Sequence, residues 1–172
     1  MMIKVVNYDE NWKKEYKKEE QTIKAILQDD LINSFHIGST SVPGLKAKPI
    51  IDILLVVRDI HTLDLFSKQF EQIGYEVMGE FGIVGRRYFR KGGDNRTHQI
   101  HAFQFDNITE IERHLVFRDY LREYPDICKQ YGDLKSELAE QYPNDIEGYG
   151  DGKDRFVKEI EKEAIKWYWS KR

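Results

Sequence analysis

The chain has 172 residues, of which 40% are hydrophobic, 13% aromatic and 33% charged, with a formal net charge of -3. That supplies one apolar core under a well-solvated surface, and the mild negative balance excludes general nucleic-acid binding over the whole surface while leaving room for a local basic patch. A single cysteine, Cys128, excludes an intrachain disulfide framework and a Cys-rich zinc site and fits a reducing, cytoplasmic setting.

Residues 9–29 predict an amphipathic helix, with Asp9 as its cap and Trp12, Tyr16, Ile23 and Leu27 on one face. Residues 35–38 predict a short strand that runs into the turn Gly38-Ser39-Thr40. The Ile/Leu/Val-rich run 50–57 predicts a central strand. A helix over 62–73 follows, with Leu63, Phe66, Phe70 and Ile73 inward and Gly74 closing it; 75–78 is a short strand. Residues 84–91 and 98–105 predict a hairpin around Gly92-Gly93-Asp94-Asn95, with a loop longer than the two-residue type. Thr109 and Glu112 form a capping box that opens a helix to about Tyr124, where Pro125 stops it. The next helix, 126–141, carries Ile127, Tyr131, Leu134 and Leu138 on one face and stops before Pro143. The last, 153–169, turns Phe156, Ile160, Ala164 and Trp167 inward. The layout predicts an α+β fold in one domain, 1–172, with a mixed α/β core to about residue 105 and a helical part from about 109. The longest apolar run, Ile53 to Val57, is far short of the roughly 20 residues a membrane helix needs, and no signal-like core opens the chain, so no membrane partner is expected.

Chemistry concentrates between His36 and Val57. The small residues Gly38, Ser39 and Thr40 form a turn whose backbone N–H groups can hold a phosphate, or an ordinary strand-to-loop turn; Lys46 and Lys48 weigh towards phosphate. Asp52 is a lone acid in an apolar strand, a position that calls for a cation, a metal or a hydrogen-bond network. Two-metal nucleotidyl transfer needs a second carboxylate on the same face, yet that position is Leu54. Asp52 is therefore read either as a ligand of one divalent ion, magnesium or manganese, or as a salt-bridged acid.

Arg86, Arg87 and Arg90 lie in a run with four cations in six residues. Strand alternation puts Arg86, Tyr88 and Arg90 on one face and Arg87, Phe89 and Lys91 on the other. One set would line a polyanion pocket, or the run guards a strand edge. His98 and His101, three apart on a strand, face opposite ways and make no bidentate pair; His101 beside Asp52 can replace the missing carboxylate as metal ligand or general base. Arg118 and Arg122 share a helix face, with Arg122 read as solvated or salt-bridged. Lys135, Tyr149 and Lys153 are candidates to close over the site from the helical third.

The stretch His36-Ile-Gly-Ser-Thr-Ser-Val-Pro-Gly-Leu-Lys-Ala-Lys-Pro-Ile-Ile-Asp52 resembles the signature of the GrpB family, as do Gly85 to Arg90, His98 to His101, His114 to Arg122, Tyr131 to Leu138 and the ending Tyr149, Lys153, Phe156. The resemblance implies a nucleotidyltransferase-like fold, a short mixed sheet flanked by helices. It implies that Gly38 and Ser39 form a nucleotide-binding turn and that Asp52 is the first metal carboxylate, with His101 near the place of a third. The expectation is a nucleotidyltransferase-like enzyme that binds a nucleoside triphosphate and transfers a nucleotidyl group to an unknown acceptor. A silent binding module for a nucleotide or coenzyme A-like ligand, and a metal-dependent hydrolase using Asp52 and the two histidines, are the rivals.

Overall fold

The structure, a computed structural model that describes residues 2–171, is organised by a five-stranded mixed sheet. Strands β1 (Leu31–Ile37), β2 (Ile51–Val57), β3 (Tyr75–Val77), β4 (Arg86–Lys91) and β5 (His98–Gln104) lie in the spatial order β1-β2-β5-β4-β3. Strands β2 and β5 run parallel, and the other neighbours antiparallel.

The period-two alternation of β2 divides the molecule. Ile51, Ile53, Leu55 and Val57 point to one face, where they meet Ile100 and Ala102 of β5 and Phe89 of β4. Helices α1 (Asn11–Leu27), α2 (Ile60–Leu63) and α3 (Ser67–Gln72) cover that face with Trp12, Tyr16, Ile23, Leu27 and Phe70. Burying each such large side chain stabilises by roughly 1.5–3 kcal/mol. Asp52, Leu54, Gln99, His101 and Phe103 occupy the opposite face. Helix α4 (Ile108–Glu123) lies there, its Ile111 and Leu115 packed on Ile37, Leu54 and Phe103. Helices α5 (Pro125–Gln141) and α6 (Ile146–Ser170) complete the layer; Leu121, Cys128, Tyr131 and Ile160 enclose Val42 and Leu45 from the loop before β2. That loop is thus held between the sheet and the helical third.

Strand β1 begins at Leu31, four residues before the predicted 35–38, and three further predicted elements differ. The helix expected over 62–73 is broken into α2 and α3 by a turn at 64–66. Asp59 caps α2 by accepting from the amides of His61 (2.8 Å) and Thr62 (3.3 Å), and the Ser67 hydroxyl donates to the Asp64 carbonyl (2.9 Å), so short side chains bond the backbone and restart the helix. Helix α4 starts at Ile108 after Asn107, and no side-chain capping bond forms there, so the expected box at Thr109 and Glu112 is not used. Helix α6 begins at Ile146, well before 153, with the Asp145 side chain accepting from the Gly148 amide. Its early turns contain Gly148 and Gly152, which read as loop in sequence. A Cβ at Gly148 would stand 2.6 Å from the Tyr142 ring, and one at Gly152 would collide with Leu138, so these glycines let α6 lie close against α5. Among the described residues no helix is long and apolar enough to cross a membrane.

Candidate functional site

The Gly-Ser-Thr turn leaves β1 at Gly38, whose φ of +70° lies in the left-handed region. A Cβ there would also sit 2.6 Å from the Asp52 carboxylate oxygen Oδ2, so turn and carboxylate are in direct contact. Thr40 is buried and turns its hydroxyl inward, donating to the Ile50 carbonyl (3.1 Å) and accepting from His36 Nε2 (2.9 Å). It staples the loop, and its hydroxyl is spent there. The His36 ring stacks on Tyr16 at 4.9 Å, and burial pushes it down to about 4.

Helix α4 grips the same turn. Arg118 donates to the His36 carbonyl at 3.1 Å, and Arg122 donates twice to the Ser41 carbonyl, at 3.1 and 2.8 Å. Arg122 is therefore not a solvated or salt-bridged residue. Its spacing of four from Arg118 was the available signal, and what the sequence lacked was a partner made of backbone carbonyls 81 residues away.

Three lysines from separate parts of the chain gather near Asp52, and one of them reaches the turn. Lys135 of α5, 2% exposed, donates to the Ser39 hydroxyl at 2.7 Å and lies 4.3 Å from the Tyr131 ring centroid. Lys48, from the loop, and Lys153, from α6, place their ammonium groups 5.1 and 5.4 Å from the centroid of one ring, Tyr149. Burial lowers all three, Lys135 most strongly; Lys153 depresses both Lys48 and Lys135, while Asp52 favours the charged form of each. Tyr131 is pushed up to about 12 by burial, with the Ser39 hydroxyl pulling the other way. Three clustered cations with one nearby carboxylate leave an excess of positive charge in a poorly solvated space, an arrangement that an anion relieves.

Asp52 is the carboxylate. His101 Nε2 lies 3.2 Å from its Oδ1, and Arg86 Nη1 lies 3.3 Å from His101 Nδ1. Guanidinium only donates, so Nδ1 accepts and Nε2–H is directed at Asp52. With its amide nitrogen towards the carboxylate, Gln99 donates to the same Oδ1 at 2.9 Å, and its oxygen accepts from Arg96 Nη1 (3.3 Å) and the Tyr88 hydroxyl (3.2 Å). The sequence singled out neither Gln99 nor Arg96 as a site residue. Leu54 is fully buried among apolar neighbours, and among the described residues no set of three His, Cys, Asp or Glu side chains is placed to hold a metal. Asp52 is the one carboxylate here that would hold a divalent ion, and the second carboxylate that a two-ion centre needs is absent, with Leu54 in its place.

Other expected residues stand apart. Arg86 is buried and donates to the carbonyls of Glu80 (3.2 Å) and Phe81 (2.8 Å) as well as facing His101. Arg87 points to the other face and pairs with Asp64 at 2.7 Å. Arg90 pairs with Glu76 at 2.7 Å. His98 lies beneath α1 beside Glu19 (3.2 Å), which also takes Lys91, and burial lowers it. Lys46 reaches Asp133 on the surface.

Comparison with known proteins agrees with this architecture. A solved GrpB from Enterococcus faecalis superposes with a TM-score of 0.94 at 53% identity, covering 96% of this chain and 99% of that one. UPF0157 protein YqkA of Bacillus subtilis is 45% identical over 96% of this chain; the chain spans about half of that relative's length, 48%. At far lower identity, 12%, the Cid1 poly(U) polymerase superposes over 79% of this chain and 43% of its own, with a TM-score of 0.55, which shows a nucleotidyltransferase-like fold. The GrpB protein model matches residues 2–163, and the chain belongs to the GrpB family.

Proposed function

We propose that this protein binds a nucleoside triphosphate and transfers its nucleotidyl group to an acceptor hydroxyl. The observation that carries the reading is the convergence of Lys48, Lys135 and Lys153 with Ser39 around Asp52. In the reaction the acceptor oxygen attacks the α-phosphorus, a new P–O bond forms, the bond to pyrophosphate breaks, and the hydroxyl proton passes to water. Negative charge grows on the departing phosphates, where the three ammonium groups stand ready without reorganisation. Asp52 would hold a magnesium or manganese ion, which would supply further charge neutralisation. His101, expected as a ligand or base, serves here as a positioning residue: its Nε2–H and the Gln99 amide fix one carboxylate oxygen. The proposed ligand class is a phosphate-bearing small molecule, and the proposed location is the cytoplasm.

One observation favours a second reading, ligand binding without turnover. Leu54 occupies the place of a second carboxylate, and Asp52 Oδ1 is already engaged twice.

A thermal-shift screen of wild type and Asp52→Ala with nucleoside triphosphates and coenzyme A derivatives, with and without magnesium or manganese, tests both. A ligand at about 100 times its dissociation constant stabilises by about 2.7 kcal/mol. A triphosphate shift that needs metal and is lost in Asp52→Ala supports transfer. A shift indifferent to both supports silent binding, and no shift with any phosphate ligand removes both readings.

A further inference from the structure

Across β5 from the lysines lies an assembly that the reaction above leaves unused. Phe81 has a φ of +47°, a backbone conformation that side chains rarely adopt, and the residue is 53% exposed. The ring lies nearly parallel to Tyr88, 14° apart with centroids at 5.1 Å, and the Arg90 guanidinium carbon is 5.5 Å from its centroid. The Phe81 carbonyl is fixed by Arg86, the same side chain that meets His101. A strained backbone therefore keeps this aromatic residue half exposed, in a loop where a phenylalanine would ordinarily turn inward. The stack is wired to the carboxylate: the Tyr88 hydroxyl donates to Gln99, and Gln99 donates to Asp52. Arg96 donates to the same Gln99 oxygen, yet its Nε is buried with no hydrogen-bond partner. Across the sheet the order is the Ser39 turn, Asp52 on β2, Gln99 on β5 and Tyr88 on β4. The stack and the lysines thus flank Asp52 from opposite sides.

We propose that Phe81 on Tyr88 is the floor of an acceptor subsite that takes the planar heteroaromatic ring of a phosphate-bearing molecule, with Arg96 near enough to favour its negative charge. Calling the bound group the acceptor rests on the nucleotidyl-transfer reading; the ring recognition does not. An exposed aromatic face stacks rings irrespective of their edge pattern, and guanidinium groups beside it favour electron-rich, anionic partners.

The test is calorimetric titration of wild type, Phe81→Ala and Phe81→Trp with AMP, GMP, CMP and UMP, using ribose 5-phosphate as the ringless control. Tripolyphosphate, a probe of the lysines alone, is titrated separately. At least one monophosphate is expected to bind wild type about tenfold tighter than ribose 5-phosphate, within the range of base–aromatic stacking. Phe81→Ala loses that margin, Phe81→Trp keeps it, and tripolyphosphate affinity is the same in all three. No margin in wild type, or a margin that survives Phe81→Ala, overturns the subsite. Equal loss in both variants overturns it too, because the loop conformation and not the ring then governs binding. A ring margin without tripolyphosphate binding retains the subsite and overturns the nucleotidyl reading.

Discussion

The ammonium of Lys135 lies 2.7 Å from the hydroxyl oxygen of Ser39, a bond that joins residues 96 apart and fixes a helix of the C-terminal third to the turn after the first strand. Burial, with Lys153 and Lys48 beside it, disfavours the charge of Lys135 in the free protein, and on the proposed reading an anionic ligand offsets that cost. Lys135→Met is expected to lower tripolyphosphate affinity about tenfold to a hundredfold, the scale of a lost charge-assisted bond, while the melting temperature stays level or rises. Calorimetry and thermal melts on the same preparation check both parts.

Gly38 gives the sharpest substitution. Gly38→Ala meets a strained φ, costing about 1–2 kcal/mol, and drives a methyl group into the Asp52 carboxylate. The variant is expected to melt lower and to lose any metal-dependent ligand shift, whereas Gly44→Ala, at a positive φ with open space, loses stability alone. Thermal shift with ATP, with and without magnesium, separates the two.

Arg122 acts through the backbone. Its two bonds to the Ser41 carbonyl tie α4 to the turn. Arg122→Ala is expected to cost about 1.5–3 kcal/mol and to weaken tripolyphosphate binding by displacing Ser39. Lysine rescues poorly, because a single ammonium does not reproduce the guanidinium fork. Hydrogen exchange at residues 38–41 reads the loosening directly.

Acid should weaken the fold through two histidines. His36 and His114 are each lowered from 6.5 to about 4, chiefly by burial. Between those values the unfolded chain binds more protons than the native one. Their stabilisation is therefore complete above pH 6.5 and is lost as pH falls towards 4. Each accounts for up to about 3 kcal/mol. Urea midpoints at pH 7 and 4.5 should differ for wild type, and by less for His114→Gln.

Much of the fold was legible. The alternation in β2 and β5 and the apolar stripes of α1 and α5 are dictated by local periodicity, and the structure follows them. The early start of α6 was not, because the meaning of Gly148 and Gly152 lies in the helix they touch and not in their neighbours in sequence. The site divides in the same way. The turn and Asp52 announce themselves in one stretch of 22 residues or fewer, but nothing local distinguishes Lys135 from a surface lysine or tells that Arg87 will spend its charge on Asp64. Partner choice across the chain is a property of packing, and packing is what a linear pattern omits.

The bond between Lys135 and Ser39 also bears on synthesis. A ribosome delivers the turn, Lys48 and the carboxylate long before α5 and α6, so a growing chain holds Asp52 beside Gly38 with only one of the three ammonium groups set to balance a polyphosphate. On the proposed reading most of the ligand grip arrives with the last helices, and a chain stopped before them lacks Lys135 and Lys153.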